Sequence, residues 1–232
     1  MIDKEMKVDF VIAAANVIDV GLIDVVLKRL PNCSHINKKY ILFDGPKKPD
    51  SSYEMYKDTI KNDYPEFIIK TFDNNIYFKE MMKSICSESE ADVLFVIQDD
   101  VLLHIRDLDE EIDNMRYLPF CNIISYPHKR IKPEGTHWFE PHLDLGDYQA
   151  SHGWSERTFL CKREELLKAI EQTENDSKSI KTKKFIDTIY HVKRQSKKWE
   201  KMDEAAKTDY WVNWGCYISN NILHSHLVAK RP

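Results

Sequence analysis

No cysteine pair at metal-binding spacing, no long apolar run and no excess of positive charge occur in this sequence. The five cysteines, Cys33, Cys86, Cys121, Cys161 and Cys216, are far apart and odd in number. That excludes a C-x-x-C zinc ribbon and a fully paired disulfide framework. Reduced thiols and a cytoplasmic setting are expected. The opening stretch, MIDKEMKVDFVIAAANVIDVG, carries acids and only a short apolar segment, so neither a signal peptide nor a membrane anchor is expected. The net charge of −4 and a pI near 6.1 speak against a general nucleic-acid surface, and no nucleic-acid partner is expected. What is there is 232 residues, 42% hydrophobic and 31% charged, the composition of a folded globular chain with a sizeable core. One domain over 1–232 is expected, with halves 1–105 and 106–232.

The first half alternates strand and helix signals. VDFVIAAA (8–15) reads as a strand, followed by a helix with Leu22, Val25, Val26 and Leu30 on one face. KYILFD (39–44) is a second strand, stopped by Gly45-Pro46, and PEFIIKTF (65–72) a third. Asn74-Asn75 open a helix in which Phe78, Met81, Met82 and Ile85 share a face. DVLFVIQ (92–98) is a fourth strand, apolar along its length, as expected where a mainly parallel sheet is covered on both sides. The second half is less regular. CNIISYP (121–127) reads as a strand, His128 to Trp154 mostly as loop, and RTFLCK (157–162) with REELLKAI (163–170) as strand then helix. A polar break at 173–184 precedes a basic segment with Phe185, Ile186, Ile189 and Tyr190 on one face, read as a solvated helix. The pattern predicts an α/β fold whose ligands bind at the carboxyl ends of the strands.

One such end holds the most telling stretch, VLFVIQDDVLLHI (93–105), where Asp99 and Asp100 interrupt an apolar run. Burying two carboxylates without partners is costly. Three readings fit: a site for a hard divalent cation, an acid/base pair, or a turn with both acids in water. The adjacency favours the cation over acid/base work, which spaces its groups around a reacting bond. Asp44-Gly45-Pro46 is likewise open between a ligand contact and a plain turn.

ADVLFVIQDDVLL, with VIAAAN and ILFDGP at preceding strand ends, resembles the GT-A glycosyltransferases, whose Rossmann-related nucleotide-sugar fold carries a D-x-D motif after such a strand. Here Gln98 takes the first acid's place. The short chain and its Lys-, Asn- and Ile-rich composition further resemble the small glycosyltransferases of large DNA viruses. The family resemblance implies a nucleotide-binding half (1–105) and an acceptor-binding half (106–232). It implies Mn²⁺ or Mg²⁺ held by Asp100, with Asp99 as helper and a ligand from His224 or His226. Ala14, Asn16, Asp44 and Gln98 would meet the nucleotide sugar, and Lys230 and Arg231 the diphosphate. The donor is expected to be a UDP-sugar and the acceptor a glycan or glycoprotein. For an inverting transfer the resemblance points to Asp209 as base, with Glu156 second and Asp147 third.

Trp154 and His152 are acceptor candidates, and Trp138, Trp211 and Trp214 divide between core and sugar stacking. His128, His137, His142 and His152, spaced nine, five and ten apart, fit no compact zinc pattern. A sugar-nucleotide pyrophosphorylase needs a glycine-rich loop after the first strand, which AAANVIDVG lacks. A nucleotide-sugar or glycan binder without catalysis is the alternative that Gln98 keeps open, and a plain α/β interaction domain is the third.

Overall fold

The computed structural model describes residues 6–14, 22–45, 51–127, 141–151, 158–175, 201–206, 215–222 and 224–227. Within these, the side chains of 141–144, 150, 151, 172–175, 224 and 226 are outside the description. The elements run β1 (Val8–Ala14), α1 (Leu22–Leu27), β2 (Ile36–Phe43), α2 (Ser51–Asp63), β3 (Ile68–Thr71), α3 (Tyr77–Glu88), β4 (Val93–Gln98) and β5 (Val101–Leu103). They continue with α4 (Asp109–Tyr117), β6 (Ile123–Ser125), β7 (Pro141–Asp144), β8 (Tyr148–Ser151), β9 (Thr158–Lys162), α5 (Arg163–Asn175), β10 (Cys216–Ser219) and β11 (His224–His226).

Among the described residues, nine strands form one sheet in the order β3-β2-β1-β4-β9-β6-β10-β8-β7. The β3, β2, β1 and β4 strands are mutually parallel, β10 runs parallel to β6, and β9 and β8 are the antiparallel members. This is the mixed, mainly parallel, Rossmann-related sheet expected, and it draws strands from both halves of the chain.

Alternation along β1 explains why every one of its residues is buried. Phe10, Ile12 and Ala14 pack on one face with Phe43, Phe95, Tyr53, Tyr56 and Ile112; Val11 and Ala13 pack on the other with Met82, Ile85, Leu166 and Ile170. Helices α1, α2 and α4 thus cover one side and α3 and α5 the other. The predicted apolar face of α3, Phe78, Met81, Met82 and Ile85, is buried as a set.

In α1 the buried residues are Ile23, Val26 and Leu27 instead of the expected Leu22, Val25, Val26 and Leu30. The helix ends at Leu27, so Leu30 no longer follows its periodicity. Helix α2 was not anticipated, because only Tyr53, Tyr56 and Ile60 of its thirteen residues are buried. The β7–β8 hairpin lies inside the stretch read mostly as loop: its strands are four residues each, too short to show a period, and β8 joins the sheet through the remote β10. All five cysteines are free thiols. Among the described residues, no helix is long and apolar enough to cross a membrane.

Candidate functional site

The parallel strands β2, β1 and β4 end side by side, and the backbone ladder continues one residue past each neighbour of β1. Asp44 N–H donates to Ala14 O at 3.0 Å, and Asp99 N–H donates to Ala13 O at 3.1 Å. Ala13 stands opposite Gln98, and Ala14 opposite Phe43. Ala14, Asp44, Gln98 and Asp99 therefore meet at one end of the sheet, as the sequence predicts.

Asp44 is 4% exposed. Its Oδ1 accepts from Gly45 N–H at 2.9 Å and Ile76 N–H at 2.7 Å, and its Oδ2 from Asn75 Nδ2 at 2.7 Å. The carboxylate thus fastens the turn after β2 to the entrance of α3. Asn75 Oδ1 is buried and has no hydrogen-bond partner among the described residues. Gly45 is required by close approach: a Cβ there would lie 2.1 Å from Asn74 C and 2.3 Å from Asn74 O, both backbone atoms. Gly45→Ala is expected to cost about 3 kcal/mol, a Tm fall of roughly 6–12 °C in a thermal melt, since backbone cannot move aside as a side chain can.

Helix α2 supplies a wall that the sequence reading missed. Tyr53 OH donates to Asp44 O at 2.8 Å. Burial first, and then the Asp99 carboxylate, push the Tyr53 and Tyr56 phenols well above their ordinary range, with Asp44 adding to the effect on Tyr53. The signal was available as Tyr53, Tyr56 and Ile60 at i, i+3 and i+7.

Asp99 is 5% exposed and Asp100 half-buried. The reading of a turn with both acids in water is thereby corrected: residues 99 and 100 do form a turn, but continuation of the β1 ladder draws Asp99 inward. Directly beyond the pair, β5 is joined by β11 in antiparallel pairing, with His226 opposite Val101, Ser225 opposite Leu102 and His224 opposite Leu103. Leu227 N–H donates to Asp100 O at 2.9 Å, and the buried Ser225 Oγ lies 2.9 Å from His104 Nε2. The chain near its C-terminus is thus pinned to the residue that follows the two acids. The side chains of His224 and His226 are outside the described residues.

The chemistry of these groups suits a hard divalent cation, which takes one or two carboxylates and completes its shell with phosphate oxygens and water. Asp99 and Asp100 are adjacent carboxylates at this strand end. Among the described residues, no three His, Cys, Asp or Glu side chains converge as a metal cluster.

Asn16, His152, Trp154, Glu156, Asp209, Lys230 and Arg231 lie outside the described residues, as do His128, His137, Trp138, the 185–194 segment, Trp211, Trp214 and the side chain of His142. Asp147 is exposed at the tip of the β7–β8 hairpin, where its Oδ1 accepts from Asn221 Nδ2.

No protein-family model matches the chain, and no curated protein sequence matches it. Solved structures do match. Over 72% of this chain, at 11% identity and a TM-score of 0.50, it is similar to the mannosyltransferase PcManGT from Pyrobaculum calidifontis in complex with GDP-Man and Mn²⁺. Over 95% of this chain, at 11% identity and a TM-score of 0.54, it is similar to S. aureus TarS 1-349. The chain spans 47% and 60% of the lengths of those two chains. At such identities the likeness is one of fold, and the fold of this chain is the α/β, GT-A-like sheet flanked by helices.

Proposed function

We propose that the chain, acting as one domain over 1–232, is a metal-assisted glycosyltransferase that moves a sugar from a UDP-sugar to a glycan or glycoprotein acceptor. The observation that carries the reading is the docking of β11 on β5, which sets His226 opposite Val101 and Leu227 against the Asp100 carbonyl. The fold shared with a mannosyltransferase crystallised with GDP-Man and Mn²⁺ supports a nucleotide sugar and a divalent cation.

Mn²⁺ or Mg²⁺, when bound, supplies positive charge to the diphosphate as the sugar–phosphate bond breaks. Asp100 and His226 or His224 would hold it, with Asp99 and Gln98 beside the donor. Ala14, Asn16 and Asp44 form the nucleoside end, and Lys230 and Arg231 neutralise the phosphates. Trp154 and His152 meet the acceptor. The acceptor hydroxyl loses its proton to Asp209, or to Glu156 in its place. Its oxygen then bonds the anomeric carbon from the face opposite the leaving diphosphate, which departs with the bonding electron pair.

The test is a thermal-shift panel of UDP- and GDP-sugars with and without Mn²⁺, followed by nucleoside-diphosphate release with mixed glycans. A UDP-sugar at about a hundred times its Kd should raise Tm by roughly 5–10 °C, with divalent cation only. Stabilisation by a GDP-sugar alone would overturn the choice of base. Stabilisation with no release would favour the non-catalytic binder that Gln98 keeps open, and no stabilisation at all would overturn the reading.

A further inference from the structure

Helix α4 begins with three successive acids, Asp109, Glu110 and Glu111, and one of them is not on the surface. Glu111 is 3% exposed. Its Oε2 accepts from Tyr126 OH at 3.0 Å and its Oε1 from Tyr148 OH at 2.5 Å. Tyr148 OH accepts in turn from Asn114 Nδ2 at 2.7 Å. The nucleotide side of the site makes no use of this buried network. Desolvation pushes the Glu111 carboxyl above its ordinary value against the lowering effect of the tyrosine hydrogen bonds, so such a group is retained only where its partners make it worthwhile.

The partners identify what it does. Tyr126 directly follows β6, and Tyr148 is the first residue of β8, opposite Ser219 at the end of β10. Between them in sequence runs 127–147, most of the His-, Pro- and aromatic-rich stretch of the acceptor half. One carboxylate on a third element therefore ties together the two residues that bound that stretch, one just after β6 and the other at the start of β8.

We propose that Glu111 is a positioning residue that holds the two ends of 127–147 in register through Tyr126 and Tyr148, and so sets the acceptor side of the site. The acceptor assignment rests on the glycosyltransferase reading; the clamp itself does not. A carboxamide can accept from one phenol while donating to the other, whereas a methyl group can do neither, so the Gln and Ala variants separate the clamp from mere packing.

The experiment is peptide-resolved hydrogen exchange on the full chain, comparing wild type, E111A, E111Q and Y148F. E111A is expected to speed exchange in peptides covering 123–126 and 148–151 by about tenfold or more, with β1 and β4 unchanged. E111Q should stay within about threefold of wild type, and Y148F, which removes one hydroxyl, should fall between them. Should E111A fail to fold, the regional rise in Y148F decides. A rise spread evenly over β1 and β4, no regional rise, or an E111Q as fast as E111A would each overturn the proposal. UDP with Mn²⁺ should bind wild type and E111A within about twofold of each other. If wild type binds neither UDP nor GDP, the functional reading fails and the exchange data still judge the clamp.

Discussion

On the glycosyltransferase reading, Asp100→Ala is expected to lower nucleotide-sugar turnover by about a thousandfold or more, with Tm within about 3 °C of wild type. A cation at the diphosphate contributes several kcal/mol to the breaking of the sugar–phosphate bond, and about 4 kcal/mol corresponds to that factor. The fold should tolerate the change because Asp100 is half-buried. Its tie to β11 runs through the backbone, Leu227 N–H to Asp100 O, and survives the loss of the side chain. Asp100→Asn keeps an oxygen ligand but loses the charge, so its defect should be smaller, about a hundredfold. Steady-state release of nucleoside diphosphate measures both. A D100A chain that turns over within tenfold of wild type would remove Asp100 from the site.

Asp44→Ala has the largest expected effect on stability, about 3–5 kcal/mol, seen as a Tm fall of at least 6 °C. It strips the acceptor from the Gly45 and Ile76 N–H groups and from the Asn75 amide at one stroke. Asp44→Asn should recover most of that loss. The new side chain keeps an oxygen for the two backbone donors and turns an amide toward Asn75. A flip of Asn75 then presents its Oδ1, which is buried without a partner among the described residues, to that amide. The pair of variants also separates the two roles raised for Asp44. If D44N restores Tm but weakens UDP binding by tenfold or more, Asp44 meets the nucleoside as well as the α3 entrance. If it restores both, the residue is a clamp alone.

The parallel half of the fold is legible in the sequence because β4, and β1 apart from Asp9, are apolar on both faces, and α3 carries its buried set at helical spacing. Asp99 and Asp100 stand out for the same reason: acids at the end of a wholly buried strand need an explanation. The hairpin β7–β8 and the short β5 and β11 are not legible, because three or four residues cannot establish a period and their partners are remote. His226 and Val101 pair across more than half the chain; only the family resemblance brought His224 and His226 into the reading. Helix α2 hides behind its polar surface, although Tyr53 hydrogen-bonds the backbone of Asp44 at the same sheet end. Glu111 is the least legible of all. In DEEID it looks like one more solvated charge at a helix N-terminus, and its burial follows from Tyr126 and Tyr148, neither of which is near it in sequence.

The central claim is that the acids after β4 hold a divalent cation on the donor diphosphate. Electron paramagnetic resonance of Mn²⁺ titrated with the protein tests it most directly, because free and bound ion differ in signal without any need for turnover or an acceptor. The account predicts that wild type with UDP removes the free-ion signal well beyond what UDP alone does, and that D100A with UDP does not. Equal retention of Mn²⁺ by wild type and D100A, or UDP binding that is indifferent to the metal, would contradict it.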